Sequence, residues 1–401
     1  MMNRPKFSRS LLIGALAVLA FALLTLGQAA LERTAVAAGQ ESIQAPIFEV
    51  DPLWPKPLPN SWVQGMTIGL AVDFQDNVWI VHRNNMLAVN EIPADGDSPI
   101  TQGECCFAAP PVLAFNQAGD LIQHWGGPGE GYEWPQSNHG LAFDHKDNIW
   151  IGGNGADDAH VLKFTKDGQF LMQLGRSGGN AGSNDRENFG RVAKIFVDAE
   201  ANEAYIADGY GNRRVAVVDA DSGEFKRYWG AYGNRPDDGP LPRYNPNDPP
   251  AQQFRSPVHC AELSNDRLLY VCDRAGDRIQ VFHPDGTFVK EGFIEKETLG
   301  GGSAWDIAFS SDADQRYIYL ADGVNSKVHI IDRESLEVLT SFGDGGRHPG
   351  QWYGVHSIAT DSQGNIYTTE TYEGKRLQKF VYKGVGTVKR YQGVLWPSSD
   401  D

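Results

Sequence analysis

One short pattern recurs six times along the 401-residue chain, and its spacing limits what the chain can fold into. In the clearest copy, His139-Gly140-Leu141-Ala142-Phe143-Asp144 is an apolar run, His145 to Asn148 is a turn, and Ile149-Trp150-Ile151 is a second apolar run. After a polar gap come Val161-Leu162-Lys163-Phe164, the turn Lys166-Asp167-Gly168, and Phe170 to Gly175. Four short strands joined by Asn/Asp/Gly turns follow the grammar of successive hairpins. Aligned on His139, the first-strand positions are Ile68, His139, Ala193, His259, Trp305 and His356, at steps of 46 to 71 residues. A four-stranded unit at that period marks a propeller blade. The six copies predict an all-β, six-bladed β-propeller over residues 46–395, with four antiparallel strands per blade. Ile47-Phe48-Glu49-Val50 is expected to add a strand to the last blade and latch the ring, since open sheet edges invite unwanted pairing.

Ahead of the repeats, residues 11–26 are almost wholly apolar, follow Arg4, Lys6 and Arg9, and precede Gln28-Ala29-Ala30. That layout predicts a Sec-type signal peptide over 1–30. An uncleaved anchor is the competing reading, but the run falls short of the ~20 residues that span a bilayer. Residues 31–45 read as a flexible segment and 396–401 as a tail. The chain is therefore expected to be exported, periplasmic or secreted, monomeric, and without stable membrane insertion. A formal net charge of −16 and the lack of a basic cluster argue against nucleic acid and anionic lipid as partners. Cys260 and Cys272 flank a turn at Ser264-Asn265-Asp266 and would lie opposite each other in a hairpin. That predicts a disulfide in an oxidising compartment. Cys105 and Cys106 are adjacent; four cysteines allow three connectivities, so composition does not decide their partners.

The first strand of a blade is the innermost, so His139, His259 and His356, in one register of alternate copies, should converge on the ring axis. Three neutral imidazoles leave a fourth tetrahedral position open, the arrangement of a catalytic zinc. A lone histidine is more often a packing or surface residue; three of the ten in one alternating register are harder to explain that way. The second strand runs back to the same face, where its ends carry Arg83, Tyr210 and Arg274. Each has a plainer reading, as a blade-packing aromatic or a rim ion pair of little worth. The linkers Gly126 to Gln136, Gly178 to Phe189 and Gly233 to Gln253 also emerge on this face, where binding loops gather. The glycine runs Gly126-Gly127-Pro128-Gly129 and Gly300-Gly301-Gly302 do not open helices, which argues against a phosphate cradle.

These residues resemble the motifs of NHL-repeat propellers, and among them those of the peptidyl-α-hydroxyglycine α-amidating lyases, over essentially the whole mature chain. The histidine motifs are matched by Asn138-His139-Gly140-Leu141, Val258-His259-Cys260-Ala261 and Val355-His356-Ser357-Ile358. The tyrosine motif is matched by Asp208-Gly209-Tyr210-Gly211-Asn212-Arg213-Arg214, and the arginine motif by Val81-His82-Arg83. A further family segment resembles Cys272 to Arg278. The resemblance implies zinc on His139, His259 and His356, Tyr210 as the active-site tyrosine, and Arg83 as the active-site arginine, with Arg274 sharing its role. It implies a lyase that splits an N-acyl α-hydroxyglycine, a small molecule or peptide bearing a carboxylate, into an amide and glyoxylate. It also implies a structural calcium on the backbone carbonyls of Leu70 (or Gly69) and Leu141 and on an Asp after the third histidine. That last position is Ser357, which removes the side-chain ligand. Gly211 stands where the family has a cysteine, Gly354 where it has a methionine, and the proline before each histidine is replaced. Two other readings compete: a non-catalytic NHL binding module, and another metal-dependent propeller hydrolase such as a lactonase. Propeller lactonases use Glu, Asn and Asp on calcium where this ring has histidine.

Overall fold

The computed structural model describes residues 43–94 and 103–397. Within them, six four-stranded antiparallel sheets form the blades of a β-propeller. The innermost strands are Met66–Val72, Asn138–Phe143, Lys194–Asp198, Val258–Leu263, Asp306–Phe309 and Val355–Thr360. In the first blade the chain then steps outward through Val78–Arg83, Val112–Phe115 and Leu121–Trp125. The sixth blade takes its outermost strand from the other end of the chain: Ile43–Asp51 pairs with Leu377–Val388, from Ile43 opposite Val388 to Asp51 opposite Lys379. This is the expected latch, and it begins at Ile43, ahead of the expected boundary at residue 46; Ile43 to Ala45 are strand, not flexible segment. The signal-peptide reading of 1–30 and the end of the 396–401 tail lie outside the described residues.

The core is divided among the interfaces between neighbouring blades. Side chains alternate across a strand, and each blade has a neighbour on both faces. Val78 and Ile80 of the first blade therefore pack against Tyr367 and Leu377 of the sixth. Trp79 and Val81, one residue out of phase, pack against Ile149, Ile151 and Leu162 of the second. The second strand of each copy reads as an unbroken apolar run because both of its faces are buried.

In three of the blades the turn after the innermost strand is stapled by one carboxylate. Asp144 accepts hydrogen bonds from the backbone N–H groups of Lys146 and Asn148, from the Asn148 amide and from Trp150 Nε1. Asp73 repeats this with Gln75, Asn77 and Trp79, and Asp361 with Gln363, Asn365 and the Tyr367 hydroxyl. One turn residue, Asp76, Asp147 or Gly364, takes a left-handed φ of 62°, 62° or 86°, a conformation that favours Asp, Asn and Gly.

Cys260 lies in register with Cys272 on the adjacent strand and is disulfide-bonded to it, with a Cα–Cα distance of 4.8 Å. Cys105 and Cys106 are bonded to each other, the connectivity that composition could not decide. Among the described residues, no helix is long and apolar enough to cross a membrane.

Asp144 also carries a buried ion pair, 2.7 Å from Lys163 Nζ. Asp144→Ala would leave that ammonium buried without its counter-charge, and such losses cost about 3 kcal/mol or more. Urea denaturation followed by tryptophan fluorescence should register the loss; a midpoint like that of the parent would refute the staple.

Candidate metal centre and active site

The three histidines meet on the axis. Their rings lie 4.8 to 5.1 Å apart and each is 2–3% exposed. The donor atoms they offer lie within 4.8 Å of one another. Each ring is held from behind. Nδ1 of His139 lies 2.6 Å from the Ala193 carbonyl, Nδ1 of His259 2.5 Å from that of Trp305, and Nδ1 of His356 3.1 Å from that of Ile68. A carbonyl only accepts, so each Nδ1 carries the proton and each Nε2 presents its lone pair. Ala193, Trp305 and Ile68 are the aligned first-strand positions of the other three copies. Even-numbered blades thus supply the imidazoles, and odd-numbered blades supply the carbonyls that orient them. This second layer of hydrogen bonds is the one metal-ligating histidines ordinarily have. Burial, aided by Arg83, Arg274 and the neighbouring rings, holds all three well below the usual histidine pKa, so they are neutral. The group is therefore able to hold a metal ion.

Tyr210 stands over this group. Its hydroxyl lies 3.0 Å from Nε2 of both His139 and His259, and Nη1 of Arg274 donates to it at 3.1 Å. Burial pushes the phenol pKa up, while Arg274 and Arg83 pull it back. The loop that carries Tyr210 is fixed by Asp208, which accepts from Arg214 Nε at 2.8 Å and from the Asn212 amide, all fully buried. Gly209 is needed for close approach: a Cβ there would fall 2.1 Å from the carbonyl oxygen of Val258, the residue before His259. Arg274 follows the equivalent pair, Asp273 with Arg278. Its guanidinium stacks 4.4 Å above the Trp305 ring, and its Nε donates to the Gly301 carbonyl. Arg83 donates from Nε to the Asn138 carbonyl and from Nη2 to Asn154 Oδ1. All six side chains expected at the site are thus on one face, around the axis.

Three further residues belong to the same surroundings. Trp305 lies edge-on to both His259 and His356, at 5.9 and 5.6 Å, and floors Arg274. Its place in the aligned register was the available signal. Asn154 directly follows the second strand of its blade, Ile149–Gly153, and anchors Arg83. Tyr372 acts electrostatically on both Tyr210 and Arg83; no motif marks it.

The calcium expectation fails. Leu70 and Leu141 line a cavity of about 10 Å³ beneath the histidines, together with Ser357, Lys194 and Asp306. Nζ of Lys194 lies 2.6 Å from Asp306 and 2.7 Å from Glu262, so the carboxylates there already hold a cation. A dication about 4 Å from that ammonium is repelled by about 8 kcal/mol at an effective dielectric constant of about 20. With Ser357 in place of a carboxylate, these residues do not fit calcium, which needs six to eight oxygens.

No protein-family model matches the chain. It is 31% identical over 154 residues to the peptidyl-glycine alpha-amidating monooxygenase A of Xenopus laevis, a match covering 38% of this chain and 15% of that protein. The NHL repeat-containing protein 3 of Mus musculus is 24% identical over 304 residues, 74% of this chain and 71% of that protein. These relatives and the six blades agree. The chain is an NHL-type β-propeller. Among solved structures, a catalytically inactive virginiamycin B lyase from Staphylococcus aureus superposes at a TM-score of 0.46 and 15% identity, over 84% of this chain and 88% of that one. A likeness of that size carries no argument about function.

The buried histidines of this NHL-type propeller make its stability depend on pH. Burial brings His82 down to about 4, and the three axial histidines move in the same direction. The unfolded chain takes up protons near pH 6.5 and the folded one does not, so stability present above pH 6.5 is lost as the pH falls. In metal-free protein His82 should contribute a loss of about 3 kcal/mol as the pH falls from about 6.5 to 4, opposed in the same window by Asp277, whose carboxyl burial pushes up to about 7. The difference in urea midpoint between the parent and His82→Gln isolates the histidine; a difference that does not change across that window would contradict the assignment.

Proposed function

We propose that this propeller is an exported zinc-dependent lyase that cleaves the C–N bond of an N-acyl α-hydroxyglycine to an amide and glyoxylate. The observation that carries the reading is Tyr210, whose hydroxyl bridges two converging imidazoles and an arginine. The all-nitrogen donor set of His139, His259 and His356 suits zinc, with the fourth position left for substrate. Two disulfides accord with an oxidising compartment. The partial match to an amidating enzyme supports the substrate class.

Zinc on the three Nε2 atoms would supply the Lewis acidity that lowers the pKa of the substrate hydroxyl. Tyr210 would act as the base in its phenolate form: burial holds its pKa above that of a free phenol even with Arg274 and Arg83 opposing it, and the positive charge of zinc on the neighbouring histidines would bring it down. It takes the hydroxyl proton as the carbon–oxygen double bond forms and the C–N bond breaks. The same proton passes to the departing nitrogen, which gives the amide and returns Tyr210 to the phenolate. The hydrogen bonds of Arg83 use Nε and Nη2, and those of Arg274 use Nε and Nη1. Nη1 of the one and Nη2 of the other remain as donors for the substrate carboxylate, a contact shared by two arginines rather than a fork from one.

Zinc stoichiometry and a glyoxylate assay test this. His259→Ala should lose the metal. Tyr210→Phe should keep one equivalent of zinc while turnover falls about 10²- to 10⁴-fold. Unchanged turnover in Tyr210→Phe would remove its role as base. Metal bound without glyoxylate from any acyl-hydroxyglycine would remove the lyase reading and leave the metal centre standing.

A further inference from the structure

Directly beneath the histidines lies a set of charges that the proposed chemistry does not use. Lys194 follows Ala193 in the chain and Asp306 follows Trp305, and Ala193 and Trp305 supply the carbonyls that orient His139 and His259. The ammonium of Lys194 reaches across the axis to Asp306 Oδ1 at 2.6 Å and to Glu262 Oε1 at 2.7 Å, and lies 3.3 Å from the Ile307 carbonyl. The other oxygen of Asp306 accepts from the N–H of Ile358 at 3.1 Å, two residues beyond His356. One ammonium and two carboxylates thus bind together the inner strands of blades three to six. The Lys194 side chain is 13% exposed, Asp306 1% and Glu262 15%. An ion cluster so deep is seldom the most stable filling for its volume, and such clusters are better explained by the geometry they impose. Below it the axis widens into a funnel of about 590 Å³ at the opposite face, which Lys194 and Glu262 also line. The cluster therefore separates that funnel from the cavity under the histidines.

We propose that Lys194 is a tethered structural cation: it stands in for a second metal ion on the ring axis, locks the Ala193 and Trp305 carbonyls, and through them aims the imidazoles of His139 and His259. It is a positioning residue and touches no substrate. The inference rests on the three-histidine metal centre and is independent of the lyase reading. It also gives the calcium mismatch a cause, since a charge on a side chain does what a bound ion would do.

The test removes the ammonium and offers a free cation to the full-length protein. In the parent, cobalt(II) should bind at one equivalent with a tetrahedral ligand-field spectrum, and millimolar calcium should neither bind nor move the melting temperature. In Lys194→Ala, cobalt affinity should fall about 10- to 100-fold, as when groups that orient metal ligands are removed, and the spectrum should change. Calcium should then bind between Asp306 and Glu262, raise the melting temperature and restore the cobalt spectrum; adding Asp306→Asn should abolish that rescue. Calcium bound by the parent with Lys194 in place would overturn the proposal. So would parent-like cobalt binding in Lys194→Ala, or weakened cobalt binding that calcium does not repair. If Lys194→Ala does not fold, Glu262→Gln decides: weakened cobalt binding supports the proposal and an unchanged affinity overturns it. A parent that takes up no cobalt refutes the metal centre itself, and the calcium response of Lys194→Ala then still reports on the tethered cation.

Discussion

Three hydrogen bonds, each from an imidazole Nδ1 in one blade to a backbone carbonyl in the next, hold the functional centre of this propeller together. They set the tautomer, and the tautomer decides that three Nε2 lone pairs face the axis. They also tie the centre to closure of the ring. The bond from His356 to Ile68 joins the last blade to the first, so it exists only when the circle is complete. Closure is secured by the pairing of Ile43–Asp51 with Leu377–Val388. The strand farthest from the axis is therefore coupled to the geometry at its centre.

Charge follows the same radial plan. At the ends of the second strands, buried carboxylates bind arginines on the third: Asp208 with Arg214 and Asp273 with Arg278. Those pairs brace the loops that carry Tyr210 and Arg274. Closer in, Arg83 and Arg274 flank the buried phenol of Tyr210 and oppose the upward push of burial on its pKa, and burial keeps the histidines neutral. Beneath them Lys194 meets Asp306 and Glu262. The outer pairs and the Lys194 cluster each place a full charge against its counter-charge at short range, which burial requires.

Much of this was legible without coordinates because a repeat makes register visible. Once six copies are aligned, the blade count, the latch strand and the alternation of histidines follow from spacing. The hairpin around Ser264-Asn265-Asp266 likewise placed Cys260 opposite Cys272, because antiparallel pairing brings residues equidistant from a turn together. Other features were hidden for equally physical reasons. The alignment contained Ala193, Trp305 and Ile68, but it could not say that their carbonyls hold the histidines, since a backbone group has no identity in a sequence. In the sequence Lys194 is only a polar residue beside the apolar run Ile195-Phe196-Val197. Its partners lie 68 and 112 positions away, Glu262 in blade four and Asp306 in blade five.

The sequence by itself determined which residues could share a face: periods of two within strands and a recurring four-strand unit leave few alternatives to a closed ring with histidines in every second blade. Tertiary structure alone decided what those residues do to one another. It turned the phenol of Tyr210 onto two imidazoles, split the remaining donors between Arg83 and Arg274, joined Cys105 to Cys106, and filled the axial cation position with a lysine. The reason is range. Pattern and propensity act over neighbouring residues, whereas hydrogen bonds and ion pairs at the axis act over about 3 Å between blades, and only the closed ring brings those blades together.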